Sequence, residues 1–207
     1  MDRGRFITLE GGEGVGKSTQ VRALAEALRE RGIDVLTTRE PGGSEGAEKI
    51  RELLLEGSVE RWGPRAEVLL FAAARADHVD KSIRPALEAG RWVLCDRFID
   101  SSLAYQGGAG GLGLENVRAL NVVAVGDLFP DRTFVLTLDT GAERALTRDG
   151  GSSDRIGGRP DDYHRKVGAA FRIVAAEEPE RVKIVDASGT PEQVTARLLD
   201  GLTDILP

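Results

Sequence analysis

Residues 11–18 read Gly-Gly-Glu-Gly-Val-Gly-Lys-Ser and match the pattern G-x-x-x-x-G-K-[ST] without a gap. A short apolar run, Phe6–Leu9, precedes this stretch, and an amphipathic segment that begins near Lys17 follows it. Between a strand and a helix, such glycines let successive backbone N–H groups point at one spot and bind phosphate. The stretch predicts a nucleotide-binding loop, here called the phosphate-binding loop, made of Gly11, Gly12, Glu13, Gly14, Val15, Gly16, Lys17, Ser18 and Thr19.

Two side chains of this loop have expected roles. Lys17 is expected to reach the β- and γ-phosphates of ATP, and the Ser18 hydroxyl to ligate Mg²⁺. The metal also needs an acidic residue at the end of another strand. Spacing alone does not choose among three candidates, Asp96, Asp139 and Asp186. Asp96 is preferred because Arg97 follows it and puts a cation at the same sheet edge, whereas the other two are more typical of helix caps.

Working outward from the loop, four further apolar runs have the length and composition of strands: Val35–Thr38, Trp92–Cys95, Phe134–Leu138 and Val182–Val185. Segments with helical spacing lie between them, for example Val21, Leu24 and Leu28. This alternation predicts a mostly parallel sheet with helices on both faces. The expected fold class is therefore α/β: a three-layer α/β/α P-loop NTPase fold with a five-stranded parallel sheet, in one domain of residues 1–207.

Composition sets limits on the class of protein. The chain has 207 residues, of which 41% are hydrophobic and 30% charged, enough for one α/β domain and too few for two ordinary ones. No apolar run approaches the roughly 20 residues that span a bilayer, and Glu10 interrupts the apolar N-terminal stretch. The single cysteine, Cys95, excludes an internal disulfide, and the net charge of −6 argues against general binding to nucleic acid or membrane. We expect a cytoplasmic protein.

Several classes of nucleotide-binding protein fit poorly. A GTPase switch needs the motif N-K-x-D, but Asn116 and Asn121 both precede valine, and a transporter ATPase needs an LSGGQ-type segment that is absent. A kinase for a small anionic acceptor needs two phosphate sites and a closing lid. The stretch Arg148–Pro160 is rich in Gly, Ser and charge and is not expected to bury much surface, so it predicts a mobile lid at about residues 147–160. A small-molecule kinase with another acceptor and an ATP-binding regulatory module remain open.

Several segments together resemble bacterial thymidylate kinases. They are residues 6–19, Thr38–Gly43 and Asp96–Gly107, and Leu70–Arg75 is similar to the thymine-binding helix of that family. The resemblance implies a Mg²⁺-dependent dTMP kinase, which transfers the γ-phosphate of ATP to dTMP and gives dTDP and ADP in the dTTP pathway for DNA synthesis. It also implies a homodimer that contacts no nucleic acid and no membrane.

The resemblance assigns residues to the acceptor phosphate and to the transferred group. Glu13 resembles the carboxylate near the acceptor sugar and phosphate, and Arg97 resembles the arginine that bridges the donor and acceptor phosphates. Arg51 matches a second arginine for the acceptor phosphate. Glu40, inside the segment Thr38–Gly43, belongs to the substrate-binding set.

Base recognition is assigned by the same resemblance. Phe71 and Arg75 are one helical turn apart and therefore on one face of a helix. The family stacks thymine on such a ring and points such an arginine at a base carbonyl. Ser102, Tyr105 and Gln106 match positions around the thymine edge and the deoxyribose, where Tyr105 is expected to crowd the 2′ position.

The resemblance also implies that an arginine of the lid takes part in catalysis. Gly14 stands where some thymidylate kinases carry an arginine in the phosphate-binding loop, so the arrangement with an arginine in the lid is implied. Arg148 and Arg155 are the two candidates, and the sequence does not rank them. Gly157 stands where relatives commonly have an acidic residue, so the acidic residue that closes over the acceptor stays open.

Overall fold

The computed structural model describes residues 3–138 and 154–207. Its centre is a five-stranded parallel sheet in the order β2-β3-β1-β4-β5. The strands are β1 (Phe6–Gly11), β2 (Val35–Arg39), β3 (Trp92–Asp96), β4 (Arg132–Thr137) and β5 (Val182–Asp186). In register, Leu9 lies beside Asp96 and Gly11 beside Leu136, so the carboxyl ends of β1, β3 and β4 meet at one edge. The predicted α/β class and parallel sheet are confirmed.

The burial of each strand explains its sequence. Every residue of β1 is buried, because helices cover both faces of the sheet at its centre. Strands β2 and β5 lie at the edges, and they accordingly alternate between buried and more exposed residues. The predicted bounds are wrong for β4, which begins at Arg132 rather than Phe134. Its first residues are polar but buried, and the Thr133 hydroxyl hydrogen-bonds that of Thr8 at 2.7 Å.

Helices occupy the connections between the strands. Their bounds are α1 (Lys17–Arg29), α2 (Glu45–Leu55), α3 (Pro64–His78), α4 (Arg84–Glu88), α5 (Ile99–Ser102), α6 (Leu114–Val125), α7 (Asp161–Glu177) and α8 (Pro191–Asp200). A 3₁₀ turn spans Val59–Arg61, and π-helical turns span Val79–Ile83 and Leu103–Ala109. Within the described ranges, none of the helices is long and apolar enough to cross a membrane.

Two apolar layers join the helices to the sheet. On one face, Leu24 and Leu28 of α1 and Leu198 of α8 pack with sheet residues such as Leu9 and Phe134. On the other face, two clusters include Val93 of β3 and Val135 of β4, packed against helices that include α4, α6 and α7. The molecule therefore has the predicted three layers.

Candidate active site

The phosphate-binding loop joins β1 to α1 at the carboxyl edge of the sheet. Gly11, Gly14 and Gly16 have φ angles of 131°, 73° and 92°, which favour glycine over residues with a side chain. A Cβ on Gly11 would also lie only 2.4 Å from the carbonyl oxygen of Leu136. Helix α1 begins after Gly16 without a side-chain cap, so its first N–H groups face the loop, as an anion site requires.

Lys17 folds back over this loop. Its Nζ atom donates to the carbonyl oxygens of Gly11 at 3.3 Å and Gly12 at 2.5 Å. Burial, together with the nearby Arg97 guanidinium, lowers the pKa of Lys17 to about 8. The ammonium group is therefore poorly compensated, and a phosphate in the loop would stabilise its charged form.

Ser18 and Asp96 meet in the way a magnesium site needs. The Ser18 hydroxyl donates to Asp96 Oδ2 at 2.7 Å, and Asp96 ends β3 beside β1. Asp186 instead accepts from the backbone N–H and hydroxyl of Ser188 in its own turn, and Asp139 lies outside the described residues. Of the two sequence candidates that lie within the described residues, Asp96 is the one at the phosphate-binding loop.

Arg97 stands at the junction between the loop and the rest of the cavity. It has a φ of 70°, a left-handed conformation that costs energy in a residue with a side chain. Its Nη1 donates to Gly11 O at 2.9 Å and to Ser101 Oγ at 3.1 Å, and its Nη2 donates to Glu13 Oε1 at 2.7 Å. The guanidinium also lies over the ring of Tyr105, 5.0 Å from its centre.

Glu13 receives a second contact in addition to that from Arg97. The Tyr105 hydroxyl donates to Glu13 Oε1 at 3.1 Å. The positive charge of Arg97 is the main reason that the pKa of Glu13 falls to about 2. Glu13 is therefore a stable anion that holds both the arginine and the tyrosine beside the phosphate-binding loop.

Glu10 is a site residue that the sequence reasoning missed. It is buried in β1, where Oε1 accepts from the Phe98 N–H at 2.7 Å and Oε2 accepts from the Ser101 hydroxyl at 2.5 Å. Burial raises the pKa of Glu10 to about 8, with a further contribution from Asp100. These contacts fix the backbone directly after Arg97. The available signal was a charged residue in the apolar strand that leads into the phosphate-binding loop.

A cavity of about 410 Å³ extends from the phosphate-binding loop toward α3. It brings together residues that the sequence analysis selected from distant segments: Glu13, Gly14, Gly16, Lys17, Ser18, Thr19, Glu40, Arg51, Phe71, Arg75, Asp96, Arg97, Ser102, Tyr105 and Gln106. Of the remaining loop residues, Gly11 and Gly12 contribute carbonyl oxygens, and Val15 packs into the core. Arg51 donates to the carbonyl oxygen of Pro41 at 2.6 Å and is held at the cavity wall.

Arg75 is held rigidly at the far end of the cavity. It is 2% exposed and ion-pairs through Nε with Glu40 Oε2 at 2.8 Å. Its other donors reach Ser102 Oγ at 3.0 Å, Asn121 Oδ1 at 2.8 Å and the Phe98 carbonyl oxygen at 3.0 Å. Two of these partners, Glu40 and Ser102, were expected to bind substrate, and both also line the cavity. The role of Asn121 was not expected from the sequence.

Glu40 has a second buried partner, His78. His78 Nδ1 lies 3.1 Å from Glu40 Oε1, and His78 Nε2 lies 2.8 Å from the Thr38 hydroxyl. This chain of contacts links β2 to α3 behind Arg75. The histidine is structural here, since both of its ring nitrogens contact buried or partly buried side chains of the frame around Arg75.

Arg155 is buried, whereas the sequence predicts that it lies in a lid that buries little surface. Arg155 is 3% exposed, and it donates to Leu54 O at 2.8 Å, Val59 O at 3.1 Å and Glu67 Oε2 at 2.6 Å. The expectation of a loop that buries little surface is therefore wrong for Arg155 and for the neighbouring Ile156, because a buried carboxylate, Glu67, compensates the arginine. Among the residues that the structure describes, Arg155 is not part of the cavity wall. Arg148 lies outside the described residues.

Comparisons with known proteins agree with this geometry. A family model described as thymidylate kinase matches residues 9–198. A thymidylate kinase of Rhizorhabdus wittichii is 59% identical over 206 residues, which cover 99% of both chains, and one of Bradyrhizobium diazoefficiens is 49% identical over 99% of this chain and 91% of the relative. The crystal structure of thymidylate kinase from Ehrlichia chaffeensis superposes with a TM-score of 0.80 at 32% identity, covering 97% of this chain and all of that one.

Proposed function

The chain belongs to the thymidylate kinase family, and on that premise we propose how its own residues transfer the γ-phosphate of ATP to dTMP, giving dTDP and ADP. The observation that carries the proposal is the continuous cavity, which has the phosphate-binding loop at one end and Phe71 and Arg75 at the other. Arg97 and Glu13 stand between these ends, where the two substrates meet. A cavity with a phosphate site at one end and a base site at the other suits direct transfer from a bound triphosphate to a bound nucleotide.

The donor end binds ATP through charge and backbone N–H groups. The N–H groups of the phosphate-binding loop and the start of α1 hold the β- and γ-phosphates, and Lys17 adds a positive charge. Ser18 and Asp96 present two oxygen atoms 2.7 Å apart, and oxygen donors are what Mg²⁺ prefers. These residues would hold the ion, which neutralises charge on the donor phosphates when bound.

The junction positions the two reacting groups. The acceptor phosphate is already ionised and needs no general base, so the rate comes from alignment and charge neutralisation. Arg97 is fixed by Glu13, Ser101 and the Gly11 carbonyl oxygen, with its guanidinium facing the cavity. Arg51 supplies a second positive charge for the acceptor phosphate. Glu13 keeps Arg97 and Tyr105 in place as the phosphates arrive.

The acceptor base is recognised at α3 and the π-helical turn that follows α5. Phe71 offers a ring for stacking, and Arg75 has one remaining Nη2 N–H to offer to a base carbonyl oxygen. Tyr105 lies beside the expected sugar and crowds the 2′ position. Gln106 lines the same end of the cavity and completes the hydrogen-bonding edge.

Three further features of the proposal concern the whole protein. The lid is assigned to about residues 147–160, with Arg148 as its candidate catalytic residue because Arg155 is buried and bonded to Leu54 O, Val59 O and Glu67. A homodimer is supported by the exposed apolar residues Leu69 of α3 and Val123 of α6 on neighbouring helices. A cytoplasmic location follows from the proposed substrates, which are nucleotides of the cell interior.

The experiment that tests the proposal is an acceptor panel with ATP and Mg²⁺: dTMP, dUMP, dCMP, dGMP, AMP, UMP and shikimate. We expect the highest kcat/KM for dTMP, with dUMP second, because one methyl group is worth only about 10- to 200-fold in a pocket. Discrimination against cytosine and purines is expected to be larger. Preference for another acceptor would overturn the base site, and ATP binding without transfer to any acceptor would indicate a regulatory module.

A further inference from the structure

Glu67 is a buried carboxylate beneath the base end of the cavity. It belongs to α3, one helical turn before Phe71, and it is 1% exposed. Among the described residues it is not part of the cavity wall, so no role follows from contact with a substrate. A buried carboxylate is costly unless it is paired, and the way in which Glu67 is paired is specific.

Three donors from distant segments converge on this carboxylate. Gln106 Nε2 donates to Oε1 at 3.0 Å, and Nη2 of both Arg155 and Arg159 donates to Oε2 at 2.6 Å. Arg159 also lies over the Tyr163 ring, 4.5 Å from its centre. Two positive charges thus face the single negative charge of Glu67, and each oxygen of the carboxylate accepts at least one hydrogen bond.

This arrangement fixes which end of the Gln106 amide faces the base. A carboxylate with two arginines on it only accepts hydrogen bonds, so Gln106 must turn its –NH₂ group toward Glu67. The amide is consequently held with its carbonyl oxygen available to the cavity that Gln106 lines. If the amide were free to rotate by half a turn, the same side chain would present a donor instead.

The orientation matters because pyrimidine bases differ in their hydrogen-bonding edges. Thymine and uracil have an N–H donor at N3 and a carbonyl acceptor at C4, whereas cytosine has an acceptor at N3 and an amino donor at C4. Arg75 contributes only donors at this end of the cavity. A carbonyl oxygen from Gln106 beside those donors complements thymine and opposes cytosine.

We propose that Glu67 is a positioning residue for base selection, which locks the Gln106 amide in the orientation that accepts thymine and rejects cytosine. Arg155, whose side chain is fully buried and also bonded to Leu54 O and Val59 O, holds Glu67 in place for this task, whereas Arg159 adds charge from the more exposed side of the cluster. Arg155 therefore acts on specificity through Glu67 rather than on the transferred phosphate. The proposal rests on the proposed function, since it assumes a pyrimidine monophosphate in the cavity.

The test is the isosteric variant Glu67→Gln, compared with wild type for dTMP and dCMP. An amide at position 67 can donate as well as accept, so Gln106 is free to turn over. We expect the ratio of kcat/KM for dTMP to that for dCMP to fall about tenfold or more, mainly through KM. At saturating dTMP, kcat is expected to stay within about threefold of wild type.

A matched control separates base selection from general destabilisation. Arg159→Gln disturbs the same cluster of charges but leaves the contact between Glu67 and Gln106 in place. It is expected to lower the melting temperature while leaving the dTMP to dCMP ratio unchanged. Equal ratios in wild type and Glu67→Gln, or equal losses in both variants, would overturn the proposal.

A second measurement needs no variant. In ¹⁵N-labelled wild type, the side-chain amide protons of Gln106 should stay bonded to Glu67 and keep their chemical shifts when dTMP binds. A large shift of these protons on binding would place the –NH₂ group at the base and contradict the proposal. Wild type that transfers phosphate to no pyrimidine monophosphate would instead contradict the proposed function, which keeps the two failures distinct.

Discussion

At the scale of single residues, Lys17 gives the clearest dependence on pH. Burial lowers its pKa from 10.5 to about 8, so the free protein loses this positive charge as the pH rises through 8. A bound triphosphate stabilises the charged form and raises the pKa again. ATP binding is therefore expected to take up a fraction of a proton at pH 8.5 and to weaken above pH 8, by at most about tenfold per pH unit.

Proton uptake can be measured by titration calorimetry in two buffers with different ionisation enthalpies. The matched control is Lys17→Arg, because arginine stays charged throughout this range and has no proton to take up. Equal observed binding enthalpies for wild type in the two buffers at pH 8.5 would show that no proton is taken up and would contradict the titration of Lys17. If wild type takes up protons on binding ATP and Lys17→Arg does not, the proton uptake belongs to Lys17.

Some residues of the site could be predicted from the sequence and others could not. The phosphate-binding loop is a contiguous pattern, so Lys17 and Ser18 could be identified directly. The role of Glu10 depends on hydrogen bonds from Phe98 and Ser101, which lie 88 and 91 positions away in the sequence, and no local pattern predicts those contacts. The burial of a carboxylate becomes interpretable only when its distant donors are known.

At the scale of secondary-structure elements, residues 154–159 and α3 form one unit through Glu67. Arg155→Ala would leave Glu67 with one arginine fewer in a buried position. Breaking a buried pair in this way costs about 3–5 kcal/mol of unfolding free energy, while kcat with saturating substrates should change little. Arg148→Ala, in contrast, is expected to lower kcat far more than acceptor affinity, since an arginine of this kind is worth about 10³–10⁵ in related transfers.

Denaturant unfolding and single-turnover transfer of the two alanine variants test this division of roles. If Arg155→Ala lowers the transfer rate by several orders of magnitude and leaves the unfolding free energy unchanged, Arg155 takes part in phosphoryl transfer. If Arg148→Ala lowers both the transfer rate and the acceptor affinity only a few-fold, the lid covers the site without taking part in catalysis. The two variants therefore serve as controls for each other.

A strand could be predicted where the burial of its residues is evident from its own apolar sequence. The run Phe6–Leu9 and the other apolar runs identified the five strands of the sheet. The three central strands, β1, β3 and β4, are the most continuously buried because helices cover both of their faces. The start of β4 was missed because Arg132 and Thr133 are polar, and their burial depends on partners in other segments, such as Asp204 and Thr8. The burial of Arg155 was missed for a related reason, since a Gly-rich and charged stretch gives no sign of Glu67.

At the scale of the whole molecule, an apolar surface on α3 and α6 has no covering partner among residues 3–138 and 154–207. Leu69, Val122 and Val123 are 56%, 52% and 82% exposed, and the two helices are neighbours. Exposed apolar groups in such proximity are typical of an interface rather than of free surface. Because α3 also carries Phe71 and Arg75, an interface on its outer face would brace the helix that recognises the base.

If this apolar surface is a dimer interface, a charge placed at its centre is expected to disrupt the dimer. Leu69→Lys and Val123→Lys each place a cation in the apolar surface, so each is expected to shift the protein from dimer to monomer at micromolar concentration. The matched control is Ile184→Lys on the edge strand β5, where a residue of similar exposure is changed outside α3 and α6. Light scattering coupled to size exclusion gives the mass of each species. A monomeric wild type, or dimers that survive both substitutions, would rule out this surface as the interface, whereas dissociation of the Ile184→Lys variant would show that it extends to the sheet edge.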